Sequence, residues 1–144
     1  MPKTLDNEDR LYIVRSYCDK ALESLEDARE FLERKPNLSA RMSYEAAYYF
    51  MMALFVSKGI SIPRTHRGMS SELYQTFVDK GFFPRDIAAY LGQLEQDRNT
   101  AQYNPIVKIQ VSDAQKNLQK AEAFCEAIQK LVEKNLAKLE QNRP

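Results

Sequence analysis

The stretch SYEAAYYFMMALFVSKG, residues 43–59, decides the fold class. Between Leu38 and Ser57 the only charged residues are Arg41 and Glu45. A helix that is apolar nearly all round is buried on more than one side. This one therefore reads as the central rod of a bundle, as part of a subunit interface, or as both. Its longest uninterrupted apolar run, Ala46 to Val56, is well short of the roughly 20 residues a membrane helix needs.

The flanking segments carry the complementary pattern. Leu11, Val14, Cys18, Ala21, Leu25, Ala28 and Leu32 recur at steps of three and four, with Asp19, Lys20, Glu23 and Asp27 on the other faces. Ala114, Leu118, Ala121, Cys125, Ile128 and Val132 repeat that seam near the other end, after a Ser112–Gln115 pair that reads as a capping box. Pro36, Pro63, Pro84 and Pro105 divide the chain, and Gly59 and Gly81 sit where helix C-caps want them. Five helices are predicted, over about 8–34, 38–58, 70–80, 85–101 and 112–140, in an all-α, up-and-down bundle of four to five helices. No linker or repeat divides residues 1–144, so a single domain is expected.

Composition excludes several classes. Only 4 Gly and 6 Pro in 144 residues argue against a turn-rich all-β design and against disorder. A net charge of +1 is not that of a bulk duplex binder, so nucleic-acid contact has to come from a local patch. The opening MPKTLDNEDR has no apolar stretch and reads as no secretory signal. A cytoplasmic protein without membrane contact is expected. Two cysteines, Cys18 and Cys125, make no disulfide framework, and with one histidine there is no usual ligand set for zinc. No metal or cofactor is expected.

Arg98 is the most informative single residue, because it continues the stripe Ile87, Leu91, Leu94 near a helix end. A guanidinium placed there is either paired to a carboxylate such as Glu95 or Glu45, or holds a phosphate. His66 lies in a basic stretch with Arg64 and Arg67, read as a loop and as a second candidate anion contact. Tyr44, Tyr48 and Tyr49 have helical spacing and read as core before stacking platform. No Ser-His-Asp set or phosphate-cradling glycine loop is present.

The succession SYEAAYYFMMALFVSKG, THRGMSSELYQTFVDKGFFP and YLGQLEQDRNTAQYN resembles the HEPN-domain superfamily, in particular its small stand-alone prokaryotic members. The pieces are Tyr48-Tyr49 with the apolar run to Val56, Lys58-Gly59, the Thr65-His66-x-Gly68 turn, Phe77-Val78 with Gly81, and Arg98 with Tyr103. Together they cover about Tyr17 to Val132. The resemblance implies a helical bundle, a homodimer, and work on RNA or a nucleotide. It implies either a toxin–antitoxin or defence role beside a minimal nucleotidyltransferase-type partner, or a metal-independent endoribonuclease toxin. A purely structural interaction bundle is the third alternative.

The ribonuclease motif of that superfamily is an Arg followed, after four to six residues, by a His. Here four residues separate Arg98 from Tyr103, which stands where the histidine would. Tyrosine ionises near pH 10, a poor match for a base at neutral pH. Catalysis by this chain alone is therefore not expected. If the chain is active, Arg98 and Tyr103 are the catalytic candidates, and Arg98, Asn99, Tyr103, His66 and Arg67 the ligand-binding ones.

Overall fold

The computed structural model describes residues 6–141. Among them there is no strand, and the helices are α1 (Asn7–Glu30), α2 (Pro36–Ser57), α3 (His66–Leu73), α4 (Arg85–Ala88), α5 (Tyr90–Tyr103) and α6 (Val111–Gln141). A π-helical turn, Tyr74–Val78, continues α3. Four long helices make the bundle, and α3 and α4 fill the connection between α2 and α5.

Cross-helix pairs set the directions. Ser39 Oγ donates to the Ala28 carbonyl at 2.7 Å, while Tyr17 stacks on Tyr49 with ring centroids 6.4 Å apart. The number rises along one helix as it falls along the other, so α1 and α2 are antiparallel. Arg15 with Glu140 and Arg29 with Glu122 run the same way between α1 and α6. Asn117 Nδ2 donates to Asp97 Oδ2 at 2.9 Å across a short connection from α5 to α6. The order is up, down, up, down.

Helix α2 is the central rod. It packs against α1, α5 and α6, and Phe50, Met51, Leu54 and Phe55 are almost wholly buried. The surplus apolar surface that the sequence assigns to α2 is covered within the chain. The large apolar side chains left exposed lie elsewhere and include Tyr12, Phe82, Tyr103, Ile106 and Val107. The seam of α1 holds as read, with Leu11, Val14, Ala21, Leu25 and Ala28 buried and Cys18 and Leu32 half-buried.

Four helix boundaries differ from expectation, the first being the end of α1, which stops at Glu30 and gives way to a turn over 31–34. Helix α3 begins at His66 rather than near residue 70, because Thr65 is its N-cap: Thr65 Oγ1 accepts the Gly68 N–H at 2.9 Å. A side chain at Gly68 would press its Cβ to 3.0 Å from Thr65 Oγ1 and from Pro63 Cβ, so glycine keeps the cap open. The expected fourth helix is interrupted at Ala89 and then runs on through Tyr103, ending where Asn104, before Pro105, turns extended. Helix α6 starts at Val111, which puts Ser112 inside the first turn rather than before it.

Glycines 59 and 81 both have positive φ, of 77° and 81°. At Gly59 the Ile60 N–H reaches the Phe55 carbonyl and the Gly59 N–H reaches that of Val56. Phe82 and Gly81 repeat the pattern on Phe77 and Val78. These paired bonds satisfy the orphan carbonyls of a helix end, and only a residue free to enter the left-handed region closes them cheaply. The first of these stops releases the chain from α2 so that it can return with α3.

A cationic, aromatic pocket at the polar half of α2

One face of α2 turns from core to pocket along its length. Arg41, Tyr44, Glu45, Tyr48 and Tyr49 follow each other at steps of three and one, which keeps them on one side of a helix. With His66 from α3 and Arg98 and Gln102 from α5, they line an opening of about 350 Å³. Helix α5 reaches this place because it runs antiparallel to α2, with Asn37 near Ala101 and Tyr44 near Arg98.

Arg98 is half-buried. Its guanidinium carbon lies 5.7 Å from the centre of the Tyr44 ring and 5.5 Å from that of Tyr103, between two aromatic faces. Such contacts contribute about 0.5–1 kcal/mol at accessible sites and fix where the charge sits. Arg98 Nη1 donates to Asn99 Oδ1 at 3.2 Å. The ion pairs among the described residues do not include Arg98. Neither Glu95 nor Glu45 takes up its charge as an ion-pair partner. A guanidinium has five N–H donors, and those left over are available to an acceptor in the pocket.

Tyr44 is buried, and its hydroxyl is hydrogen-bonded to His66 Nδ1. Burial pushes the phenol well above its ordinary range. The charges of Glu95 and Tyr48 push the same way and that of Arg98 opposes them. Tyr44 therefore keeps its proton across the physiological range. If it donates that proton to Nδ1, the ring proton of the imidazole is on Nε2, and His66 presents an N–H donor on the side away from Tyr44. The imidazole also lies against Tyr48, with ring centres 5.2 Å apart.

The structure brings Arg98 and His66, 32 positions apart in sequence, within 6 Å of the same tyrosine ring. Tyr103 is not a lining residue. It is 66% exposed, and its ring carries Arg98 from the outer side. Asn99 is exposed and orients Arg98, while Arg67 is exposed and does not line the pocket. Sequence reasoning missed Arg41 and Gln102, named Glu45 only as an ion-pair partner, and read the tyrosines as core, which holds for buried Tyr44 although all three also line the pocket. The available signal was the charged pair Arg41 and Glu45 on the same face as the tyrosines. No group of three metal-ligating side chains occurs among the described residues, and no helix there is long and apolar enough to cross a membrane.

The fold and the pocket together define an all-helical bundle with arginine and imidazole gathered over aromatic rings. Comparison with known proteins makes that class specific. The HEPN domain model matches residues 14–132, and the chain belongs to the HEPN domain family. It is 29% identical over 122 residues to the UPF0332 protein of Thermotoga maritima, covering 84% of this chain and 92% of that one. It is 27% identical over 139 residues to a Methanocaldococcus jannaschii protein called a putative toxin, covering 90% of this chain and 94% of that one.

Proposed function

We propose that this chain is a toxin-like HEPN protein that binds RNA or a nucleotide through the Arg98 pocket. The observation that carries this reading is Arg98 itself, a half-buried guanidinium held between two rings and free of any ion pair among the described residues. Its unspent donors suit a phosphate, and Arg41 brings a second cation to the same opening. Tyr48 and the His66 N–H offer a ring face and a donor for a base or a further phosphate oxygen. The resemblance to the Methanocaldococcus protein supports the toxin-like part. In this reading the chain acts in the cytoplasm as a homodimer, beside a partner of the minimal nucleotidyltransferase type.

A second reading, a metal-independent ribonuclease, is favoured by one observation: His66 lies in the pocket with Arg98. Cleavage of RNA needs a base for the 2′-hydroxyl and stabilisation of charge on the phosphate. Arg98 is placed for the second task. Tyr44 occupies Nδ1 of His66, and with the phenol as donor the ring proton is on Nε2, an arrangement that does not poise the imidazole for the first. Binding without rapid cutting is the better fit.

The test incubates the purified protein with labelled RNA under chelator, following binding and cleavage together. Arg98→Ala is expected to weaken binding by about tenfold or more, as loss of a charged hydrogen-bond donor costs about 1.5–3 kcal/mol. Its dependence on salt should become shallower by about 0.7 in the logarithmic slope. Wild-type cleavage that vanishes in both Arg98→Ala and His66→Ala would move the assignment to the ribonuclease. Equal binding by wild type and Arg98→Ala would end the RNA reading.

A further inference from the structure

The cationic lining does not stop at the pocket. Beside it, between the start of α2 and the segment leading into α6, is a groove of about 610 Å³, where Lys35, Leu38, Arg41, Lys108 and Ile109 are among the lining residues. Arg41 lines both openings, so the two meet at its side chain. No carboxylate lines the groove, and Lys35, Arg41 and Lys108 are in no ion pair among the described residues. Three cations outside any such ion pair line this one groove in a chain whose net charge is only +1.

The cations stand on a pinned frame. The Lys35 ammonium is 5.8 Å from the centre of the Phe31 ring. Next to Lys108, the Ile109 N–H donates to Asn37 Oδ1 at 2.9 Å, and Asn37 Nδ2 reaches the Ala101 carbonyl at 3.5 Å. Asn104 Oδ1 accepts the N–H groups of Ile106 and Val107, each at 3.0 Å, and closes the turn that precedes Lys108. The positive charges are thus presented by backbone tied to α2 and α5.

We infer that this groove is a second subsite for single-stranded RNA, which tracks the backbone of a strand whose neighbouring nucleotide sits at Arg98. The ligand is then a strand of several nucleotides rather than a free nucleotide, and the inference rests on the RNA reading of the pocket. Proteins that hold single strands combine a cationic track with ring faces for bases. Here the rings lie in the pocket, the added cations lie in the groove, and Arg41 joins them. The exposed Ile106 and Val107 beside the groove would suit a protein segment instead. Arg98, Arg41, Lys35 and Lys108 line two openings that share Arg41 and hold one carboxylate, Glu45, and this excess of positive charge favours the polyanion.

Fluorescence anisotropy with a labelled RNA dinucleotide and a labelled octanucleotide tests this in wild type, Arg98→Ala and Lys35→Ala/Lys108→Ala. Both lysines are exposed, and circular dichroism checks that the double variant is folded. Wild type is expected to bind the octanucleotide about tenfold or more tighter than the dinucleotide, from added backbone charge and stacking. The double variant should lose most of that gain and leave dinucleotide affinity unchanged. Its logarithmic salt slope for the octanucleotide should be shallower by about 1.4, twice the value of about 0.7 per phosphate contact. If the dinucleotide binds in an Arg98-dependent way but length or the lysines bring nothing, the second subsite is refuted and the pocket stands. The groove then belongs to a protein partner. If neither RNA binds wild type, the pocket reading fails and the inference falls with it.

Discussion

The two halves of α2 are both rich in aromatic rings, but Arg41 and Glu45 lie in one and no charge in the other, and their fates are opposite. From Phe50 to Val56 the helix is buried at every position but Met52, with Phe55 stacked on Phe77 at 6.2 Å and Leu54 and Met51 almost wholly enclosed. From Arg41 to Tyr49 it is just as rich in aromatic rings, yet three tyrosines open onto the pocket. The difference lies in what covers each half. The sealed half is closed by the turn after α3 and by the α6 side chains, whereas the open half faces the end of α5, where the stripe Leu91, Leu94 gives way to Arg98 and Gln102. A helix becomes a site wall where its neighbour stops supplying apolar side chains.

This contrast can be broken most violently in the sealed half. Phe50→Ala empties a wholly buried position and is expected to cost about 3–5 kcal/mol, read as a large fall in the urea midpoint. A loss below about 1 kcal/mol would mean that the core is less tightly packed than the burial of Phe50 implies. At the end of that half, buried Asn135 donates through Nδ2 to Ser57 Oγ at 3.0 Å. Asn135→Ala should cost about 1–3 kcal/mol, since Ser57 is left buried beside a hole.

In the open half the same kind of change should do less to stability and more to function. Tyr44→Phe removes the hydroxyl on His66 and should cost about 1 kcal/mol at neutral pH. Its sharper signature is alkaline. The Tyr44 phenol is held above its ordinary value of about 10, so above that pH the unfolded chain releases a proton the folded chain keeps. Stability should therefore fall as pH rises past about 10, and fall less steeply in Tyr44→Phe. Buried Cys125, pushed up to about 12, and Cys18, pushed up to about 11, add a fall of the same sign in both proteins. The difference between the two proteins isolates Tyr44. Smallest in stability is Arg98→Ala, which should shift unfolding by no more than about 1 kcal/mol, because it removes ring contacts and no ion pair. A penalty of several kcal/mol would reveal a structural arginine and separate it from the binding role.

How much of this could be read in advance follows from range. The seams of α1 and α6, the apolar α2, and the glycine stops at 59 and 81 are local patterns, set by 3.6 residues per turn and by backbone freedom at single residues. They are written in consecutive letters. The start of α3 was also local, but its signal was one threonine hydroxyl reaching one glycine N–H, weaker than the charge pattern that made residues 64–68 look like a loop. Arg98 stood out because a charge on an apolar stripe breaks a periodic rule.

The residues around Arg98 follow no such rule. Sequence by itself determined an all-helical bundle, its five principal helical segments, most of its core, and the one arginine that departs from the pattern. Only the tertiary structure decided that Tyr44 and Tyr48 line a pocket as well as pack on the core, that His66 joins Arg98, and that Tyr103 faces outward. Those outcomes depend on the register of antiparallel helices and on where a capped turn returns the chain. Both are set by the packing of the whole core. The hydrophobic effect that drives that packing depends on the area buried and is indifferent to which polar residues it leaves side by side.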